Sequence, residues 1–229
     1  MGPIKWPKTI LKRLMKNKSP KYATGLGRNL YLKFAVDRCV SWLLLMLTSP
    51  LITFIAYCMW IEGLFFKDSR GPVFYREKRI SRGKPFTLYK FRVLTASALQ
   101  KVEKEDSVWF FQFEKKNTTV MGKILIQCYL DEMPQLLNIF LGQMSFVGPR
   151  PRVPPIYEED VAEGYSALKF LKGGITGPSQ LAKGMVKNGL PLSEEYLGIC
   201  NSYGPIKLLK YDLGIMWRSV FKLMKAEGL

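Results

Sequence analysis

Residues 39–61 read CVSWLLLMLTSPLITFIAYCMWI, twenty-three consecutive positions without a charged side chain. As a straight helix they would reach about 35 Å, enough to cross the hydrocarbon core of a bilayer. Ser49-Pro50 sits near the middle, where proline removes a helix hydrogen bond and bends the axis. Both flanks are basic. Residues 1–38 carry ten Lys or Arg and a single acid, Asp37, and residues 67–92 carry nine and two. Basic flanks favour the cytoplasmic side of a membrane. A single span would strand one flank outside, whereas a helix that enters, breaks at Ser49-Pro50 and returns keeps both inside. The residues favour the re-entrant form and leave a single span open. A buried core helix of a soluble protein is the third reading. A secretory signal peptide fits poorly, because the run starts late and is followed by more basic sequence.

The whole chain of 229 residues is long enough for one domain with a core, and its 48% hydrophobic residues are not a disordered composition. Lys plus Arg number 35 against 18 acids, a net charge of +17. That charge points to a polyanionic partner: nucleic acid, anionic lipid or a phosphate-rich substrate. The uncharged run selects lipid, so no nucleic-acid partner is expected. Histidine is absent. This excludes Ser-His-Asp and Cys-His catalysis and His-ligated metals, and leaves Mg²⁺ held by carboxylates and phosphates. The cysteines at 39, 58, 128 and 200 form no Cys-x-x-Cys pair and read as reduced, packed thiols.

The first twenty residues read as a basic surface helix carrying Trp6, with Arg13 among its cations, and residues 205–227 as another amphipathic helix. Leu209, Leu213, Met216, Trp217, Val220, Phe221 and Met224 share one side of the latter. Residues 71–76 and 85–92 read as a hairpin turning at Ser81–Lys84. Helices are expected over 95–115, 119–129, 134–141 and 155–171, with a shaped loop over 142–152 and a Gly-rich loop or short strand over 173–180. The fold class is mainly α with small β elements, packed against a membrane.

Asp131-Glu132 stands just before Pro134, at an expected helix start. The positive end of a helix would lower the Asp131 pKa and keep it charged, as a nucleophile or a metal ligand. Plain helix capping by Asp131 is the competing reading. A phosphate site also needs cations, and Arg76, Lys78, Arg79, Lys90, Arg92, Arg150 and Arg152 are the candidates. Arg150 stands out because Pro149 and Pro151 stiffen its backbone.

LDEMPQLLNIFLGQMSFVGPRP at 130–151 resembles the core segment of the bacterial sugar transferases, the monotopic phosphoglycosyl transferases. GPVFYREKR at 71–79, GKPFTLYKFR at 83–92 and GGITGPSQ at 173–180 follow the same family in order. The resemblance runs from about residue 33 to the C-terminus. The basic amphipathic segment (1–32) lies outside it; the resemblance implies that a re-entrant membrane helix (33–66) and a cytoplasmic catalytic domain (67–229), ending in an amphipathic helix, follow. It implies a monotopic enzyme at the cytoplasmic face of the bacterial inner membrane. Such an enzyme moves a phosphosugar from a nucleoside-diphosphate sugar, usually a UDP-sugar, to polyprenol phosphate, and so initiates glycan assembly. By the same resemblance Asp131 is the covalent nucleophile, Glu132 its partner, and both carboxylates attend Mg²⁺. Lys90 and Arg150 match basic positions of the family's motifs, and with Arg79, Arg92 and Arg152 they are expected to contact substrate phosphates. Membrane lipids are partners, and a homodimer is left open.

The chain departs from the family pattern at Ile126, where arginine is usual, and at Glu77, Val93-Leu94, Met185 and Cys200. A non-catalytic relative that binds membrane and polyprenol phosphate, or scaffolds an assembly, is the alternative function.

Overall fold

A computed structural model gives the structure of the chain and describes residues 26–105, 115–182 and 189–224. The expected N-terminal surface helix and Met185 lie outside these residues. The uncharged run lies within α1 (Leu26–Phe65), a helix of forty residues. It is the only helix among the described residues that is long and apolar enough to cross a membrane. Trp42, Leu43, Met46, Leu47, Leu51 and Phe54 are all exposed, and no residue from 42 to 54 is buried. The ends differ: Leu30, Lys33, Asp37 and Ser41 are buried at one, and Ile55, Met59 and Glu62 at the other.

The break expected at Ser49-Pro50 is not a gap in the helix, which continues through Pro50. Proline has no N–H for the carbonyl of Met46, and the Ser49 hydroxyl donates to that carbonyl instead at 2.9 Å. Thr48 Oγ1 donates to Leu44 O at 2.7 Å, and Thr53 Oγ1 to Ser49 O at 2.9 Å. Hydroxyls thus serve the carbonyls around the proline, which matters where no water is at hand.

The described chain divides into two units interleaved along the sequence. One holds the described residues of 40–77 and 87–138. Its core gathers Ile55 and Met59 of α1 with Phe91, Val93, Leu94, Ala98 and Leu125. Phe91 ends β2 (Lys84–Phe91), Val93 and Leu94 follow it, and Ala98 and Leu125 belong to α2 (Ala96–Glu105) and α3 (Val120–Gln127). Glu62 ties α1 to α3 by accepting the amides of Val120 and Met121 at 2.8 and 3.0 Å, and Thr119 caps the same helix through the amide of Gly122 at 2.8 Å. The helix expected over 95–115 is described only to Glu105, and a 3₁₀ turn follows at Lys115–Asn117.

The hairpin pairs β1 (Phe74–Ser81) with β2. It turns at Arg82-Gly83, both in the left-handed region with φ of 51° and 67°. The sequence reading stopped β1 at Arg76. The strand runs on with Arg76 and Lys78 exposed and Tyr75, Glu77 and Arg79 half-buried up to the buried Ile80, and charge at the exposed positions of a strand costs little.

The other unit holds the described residues of 1–39, 78–86 and 139–229. Met144–Val147, expected as part of a loop, is instead the buried strand β3. It pairs in parallel with β4 (Gly173–Thr176), Met144 opposite Gly173 and Val147 opposite Thr176. The helix expected over 155–171 is two helices, α5 (Pro154–Ala162) and α6 (Ala167–Phe170), parted at Gly164 with φ of 92°. After the short α7 (Pro178–Leu181) comes α8 (Leu190–Ser202), which the sequence reading passed over. Its buried positions include Leu192, Ser193, Tyr196, Leu197 and Cys200, so polar residues break the apolar stripe. The last helix, α9 (Pro205–Met224), turns Leu208 and Ile215 inward and exposes Leu213, Trp217, Val220 and Phe221, four of the residues expected on one face. Among the described residues the fold is mainly helical with two two-stranded sheets. None of the four cysteines forms a disulfide; Cys200 is buried as expected, while Cys39 and Cys128 are exposed.

Candidate active site

Asp131, Glu132, Met133 and Pro134 form a turn that leads into α4 (Gln135–Phe140). The amides at the start of α4 are already served by backbone. Met133 N–H donates to Leu130 O, Gln135 N–H to Glu132 O and Leu136 N–H to Met133 O, at 3.0–3.1 Å. Pro134 has no amide to satisfy. Capping of α4 therefore does not explain Asp131, which removes the competing reading of that residue.

The turn is fastened to the edge of β2. Phe91 N–H donates to Asp131 O at 2.9 Å, and Tyr89 N–H donates to Asn138 Oδ1 at 3.0 Å. Asn138 Nδ2 in turn donates to Thr87 O at 2.7 Å. Asn138 is fully buried, so it does what a neighbouring strand would do for β2. Lys90 lies between those two anchored amides, and its Nζ reaches Glu132 Oε1 at 2.7 Å. A small recess beside Asp131 is lined also by Tyr75, Lys90, Phe91, Arg92, Leu94 and Leu99.

The charge state of Asp131 differs from the sequence expectation. Burial, and then the neighbouring Glu132 carboxylate, push its pKa up to about 6; Lys90 acts in the opposite direction. A helix of six residues offers too little dipole to reverse this. Near pH 7 the group is still mainly ionised, and it is less solvated than an ordinary aspartate. That suits a nucleophile.

The expected cations separate into different roles. Arg92 is 2% exposed, and its Nε, Nη1 and Nη2 donate to the carbonyls of Pro72, Leu94 and Ser69 at 2.8, 2.9 and 2.5 Å. It was grouped with the phosphate contacts, but its guanidinium is committed to holding the chain around residues 69–72. Burial lowers its pKa, against Glu62 and Asp68, which raise it. In the other unit, Arg79 Nη1 donates to Pro151 O at 3.2 Å, and Arg152 Nε donates to Asp160 Oδ2 at 3.0 Å. The Arg152 carbonyl receives the amide of Ile80 at 2.8 Å.

Arg150 is exposed on a backbone held from both sides. Gly174 N–H donates to Pro149 O, and Gly148 N–H to Thr176 O, both at 2.9 Å. A Cβ on Gly174 would come within 2.2 Å of Gly148 N, so the approach that fixes this loop needs glycine at that position. Arg150 and Arg152 line a pocket with Tyr157, Asp160, Tyr165 and Glu194.

Two departures from the family pattern are packing residues. Ile126 is partly buried against the core of its unit, and Cys200 is fully buried, its thiol pushed up to about 12 by burial. Neither is a substitution within the Asp131-Glu132-Lys90 group. Sequence reasoning also missed a buried polar cluster. Lys33 Nζ meets Asp212 Oδ2 at 2.6 Å, Tyr196 Oη donates to Asp212 Oδ1 at 2.7 Å, and Ser145 Oγ donates to Asp37 Oδ2 at 2.6 Å. A lone polar residue on an otherwise apolar helix face was the available signal.

Comparison with known proteins follows the same lines. The family model described as bacterial sugar transferase matches residues 28–226. A UDP-glucose:undecaprenyl-phosphate glucose-1-phosphate transferase of Klebsiella pneumoniae is 36% identical over 158 residues, 68% of this chain and 32% of that protein. An undecaprenyl-phosphate galactose phosphotransferase of Salmonella typhimurium is 34% identical, over 66% of this chain and 33% of that protein. The exopolysaccharide production protein ExoY of Sinorhizobium fredii is 33% identical, over 66% and 68%. The match thus spans about a third of the first two relatives and about two thirds of the last.

Proposed function

The chain belongs to the bacterial sugar transferase family, and on that premise we propose that it transfers a phosphosugar from a UDP-sugar to polyprenol phosphate through a covalent intermediate on Asp131. The observation that carries this reading is the dyad: a desolvated, mainly ionised Asp131 beside Glu132, with Lys90 fixed at 2.7 Å from Glu132. The names of the relatives, which include sugar-phosphate transferases acting with undecaprenyl phosphate, support the substrate class.

In the first step an Asp131 carboxylate oxygen attacks the phosphorus that bears the sugar. The P–O bond to the nucleotide breaks, and UMP departs with the electron pair. In the second step a phosphate oxygen of the polyprenol phosphate attacks the same phosphorus. The acyl phosphate bond breaks, Asp131 is restored as carboxylate, and polyprenol-diphosphate-sugar leaves. Splitting the transfer lets one anion at a time approach the phosphorus. Lys90 holds Glu132 and lowers the Asp131 pKa, which keeps the nucleophile charged. Arg150, exposed on its pinned loop, supplies a forked donor for phosphate oxygens. Mg²⁺ typically binds through one or two carboxylates plus substrate phosphates. Two adjacent, half-buried carboxylates, Asp131 and Glu132, fit that requirement. Bound there, the ion would neutralise charge on the diphosphate.

The lipid acceptor calls for a membrane-held enzyme, and α1 supports a re-entrant anchor on the cytoplasmic leaflet of the inner membrane. Lys33 precedes the uncharged run and Asp212 follows it, yet they form one ion pair. Among the described residues no second helix could carry the chain back across a membrane. An odd number of crossings is hard to reconcile with that contact. With a lipid acceptor, transfer at this leaflet would begin a surface glycan.

The test is incubation of the purified chain with polyprenol phosphate and a panel of UDP-sugars, with UMP release as the readout. Release with one donor, dependent on acceptor for turnover, is expected. No release with any donor, together with retained polyprenol-phosphate binding, would favour a non-catalytic relative.

A further inference from the structure

We propose that Arg38, Arg82 and Lys172, gathered around Phe34 in the unit that holds residues 139–229, form a binding site for the phosphate headgroup of a membrane lipid. The proposal rests on the re-entrant placement of α1 given above.

Phe34 and Arg38 lie one turn apart on α1, and Arg38 is the last charge before the run that starts at Cys39. Lys172 Nζ sits 3.8 Å from the centroid of the Phe34 ring, and Arg82 Cζ is 5.9 Å from it. The two cations come from neighbouring pieces of backbone, because Arg82 N–H donates to Leu171 O at 3.0 Å. Arg38 lies flat against Gly142, where a Cβ would come within 2.2 Å of Nη2. The arrangement is built from three separate parts of the chain rather than from one exposed lysine stretch.

The acids nearby are taken. Asp212 is held by Lys33 and Tyr196, and Asp37 by Ser145, with Lys33 at 3.9 Å; all are buried. Among the described residues these two buried carboxylates are thus held by Lys33, Tyr196 and Ser145, while Asp37 still acts on Lys172 from a distance. Burial, together with Arg38, Arg82 and Lys33, holds the Lys172 amine down to about 8, against the pull of Asp37. An amine pressed by like charges gains from a bound anion. The face of Phe34 offsets part of the repulsion but supplies no full charge. Two guanidinium forks and one ammonium match the oxygens of a phosphate better than a single carboxylate. The transfer steps proposed above use none of these three residues, so the site adds a lipid contact to the enzyme.

The test uses the full chain in detergent micelles doped with phosphatidylglycerol or phosphatidylcholine, with retained lipid read by native mass spectrometry. The wild type should retain phosphatidylglycerol preferentially. The double variant Arg82→Gln/Lys172→Gln should lose roughly 10- to 30-fold of that affinity, the worth of two charges near a membrane. Arg82→Lys/Lys172→Arg should keep most of it, which separates charge from folding. Lys207→Gln/Lys210→Gln, on α9, should leave the preference unchanged. Equal retention of the two lipids by wild type, or full preference in the double glutamine variant, would overturn the site. Added polyprenyl phosphate that displaces phosphatidylglycerol from wild type assigns the site to the acceptor's phosphate. Failure to displace assigns it to bulk phospholipid; either result upholds a lipid-phosphate site. Displacement by equimolar inorganic phosphate would overturn the lipid assignment. Impermeant labelling of cysteines near residues 30 and 70 is run in parallel, so that a failed topology is not mistaken for a failed site.

Discussion

Lys33 and Asp212 stand 179 residues apart in sequence and meet at 2.6 Å, both buried. The uncharged run 39–61 lies between them in the chain. On the re-entrant reading proposed above, that contact brings the chain back to the side it left, and α1 is the only described helix long and apolar enough to leave it. Single cysteines near 30 and 70, in a cysteine-free background, should both resist an impermeant reagent on intact cells. Pro50→Leu should convert part of the population to a straight span, because it returns the amide that Met46 O lacks. Labelling of one flank in the parent protein would contradict the re-entrant anchor.

The same pair predicts a stability effect. Asp212→Asn leaves Lys33 buried with only Asp37, at 3.9 Å, as a counter-ion. Breaking a buried pair costs about 3–5 kcal/mol, which thermal unfolding of the purified chain will register as a clear drop in Tm. The double change Lys33→Met/Asp212→Leu should recover much of the loss, since neither charge remains. A small effect of Asp212→Asn, like that of Lys84→Gln at an exposed position, would mean that the pair does not fasten α1.

Arg92 and Arg150 should fail in different ways. Arg92→Met leaves three carbonyls without their donor, at a cost of about 3 kcal/mol or more, so stability falls before any kinetic effect is read. Arg150→Lys keeps the charge and loses the fork, and the bonds that pin Pro149 and Gly148 run from backbone to backbone, so they survive the change. It should lower kcat/KM by roughly 30- to 1,000-fold with Tm unchanged. Equal thermal losses in both would place Arg150 in the scaffold.

What the sequence made legible follows from which features are local. The 23-residue uncharged run, the hairpin turn at Arg82-Gly83 and the Gly-Pro signals at 148–151 depend on nearest neighbours, and all three are found where composition pointed. β3 was lost because Met144–Val147 is too short for its alternation to count, and its partner Gly173–Thr176 is distant in the chain. α8 was lost because Ser193 and Tyr196 face inward. The dyad was legible as residue types; its environment was not. Asp131 is desolvated by packing from β2, and Arg92 turns to carbonyls twenty residues back, and neither fact is written in spacing.

The protonation of Asp131 gives a signed test on the metal-free protein. Burial and Glu132 raise its pKa to about 6, so its carboxyl should titrate near that value by ¹³C NMR. Glu132→Gln removes a raising neighbour and should move the titration to lower pH. Lys90→Gln removes a lowering one and should move it higher. A folded pKa above the unfolded one means that ionising Asp131, as pH rises from about 4 through 6, costs stability. Asp131→Asn should therefore melt above wild type at pH 7.5, with the difference vanishing towards pH 4. A titration near 4 in wild type would contradict the desolvated setting of the nucleophile.

The covalent role of Asp131 is tested most directly by intact-protein and peptide mass spectrometry after incubation with UDP-sugar and Mg²⁺, without polyprenol phosphate. The account predicts one phosphosugar adduct, mapped to Asp131, released on adding the acceptor and absent in Asp131→Asn. A donor that turns over with the acceptor while the wild type carries no adduct and Asp131→Asn keeps full UMP release would contradict it.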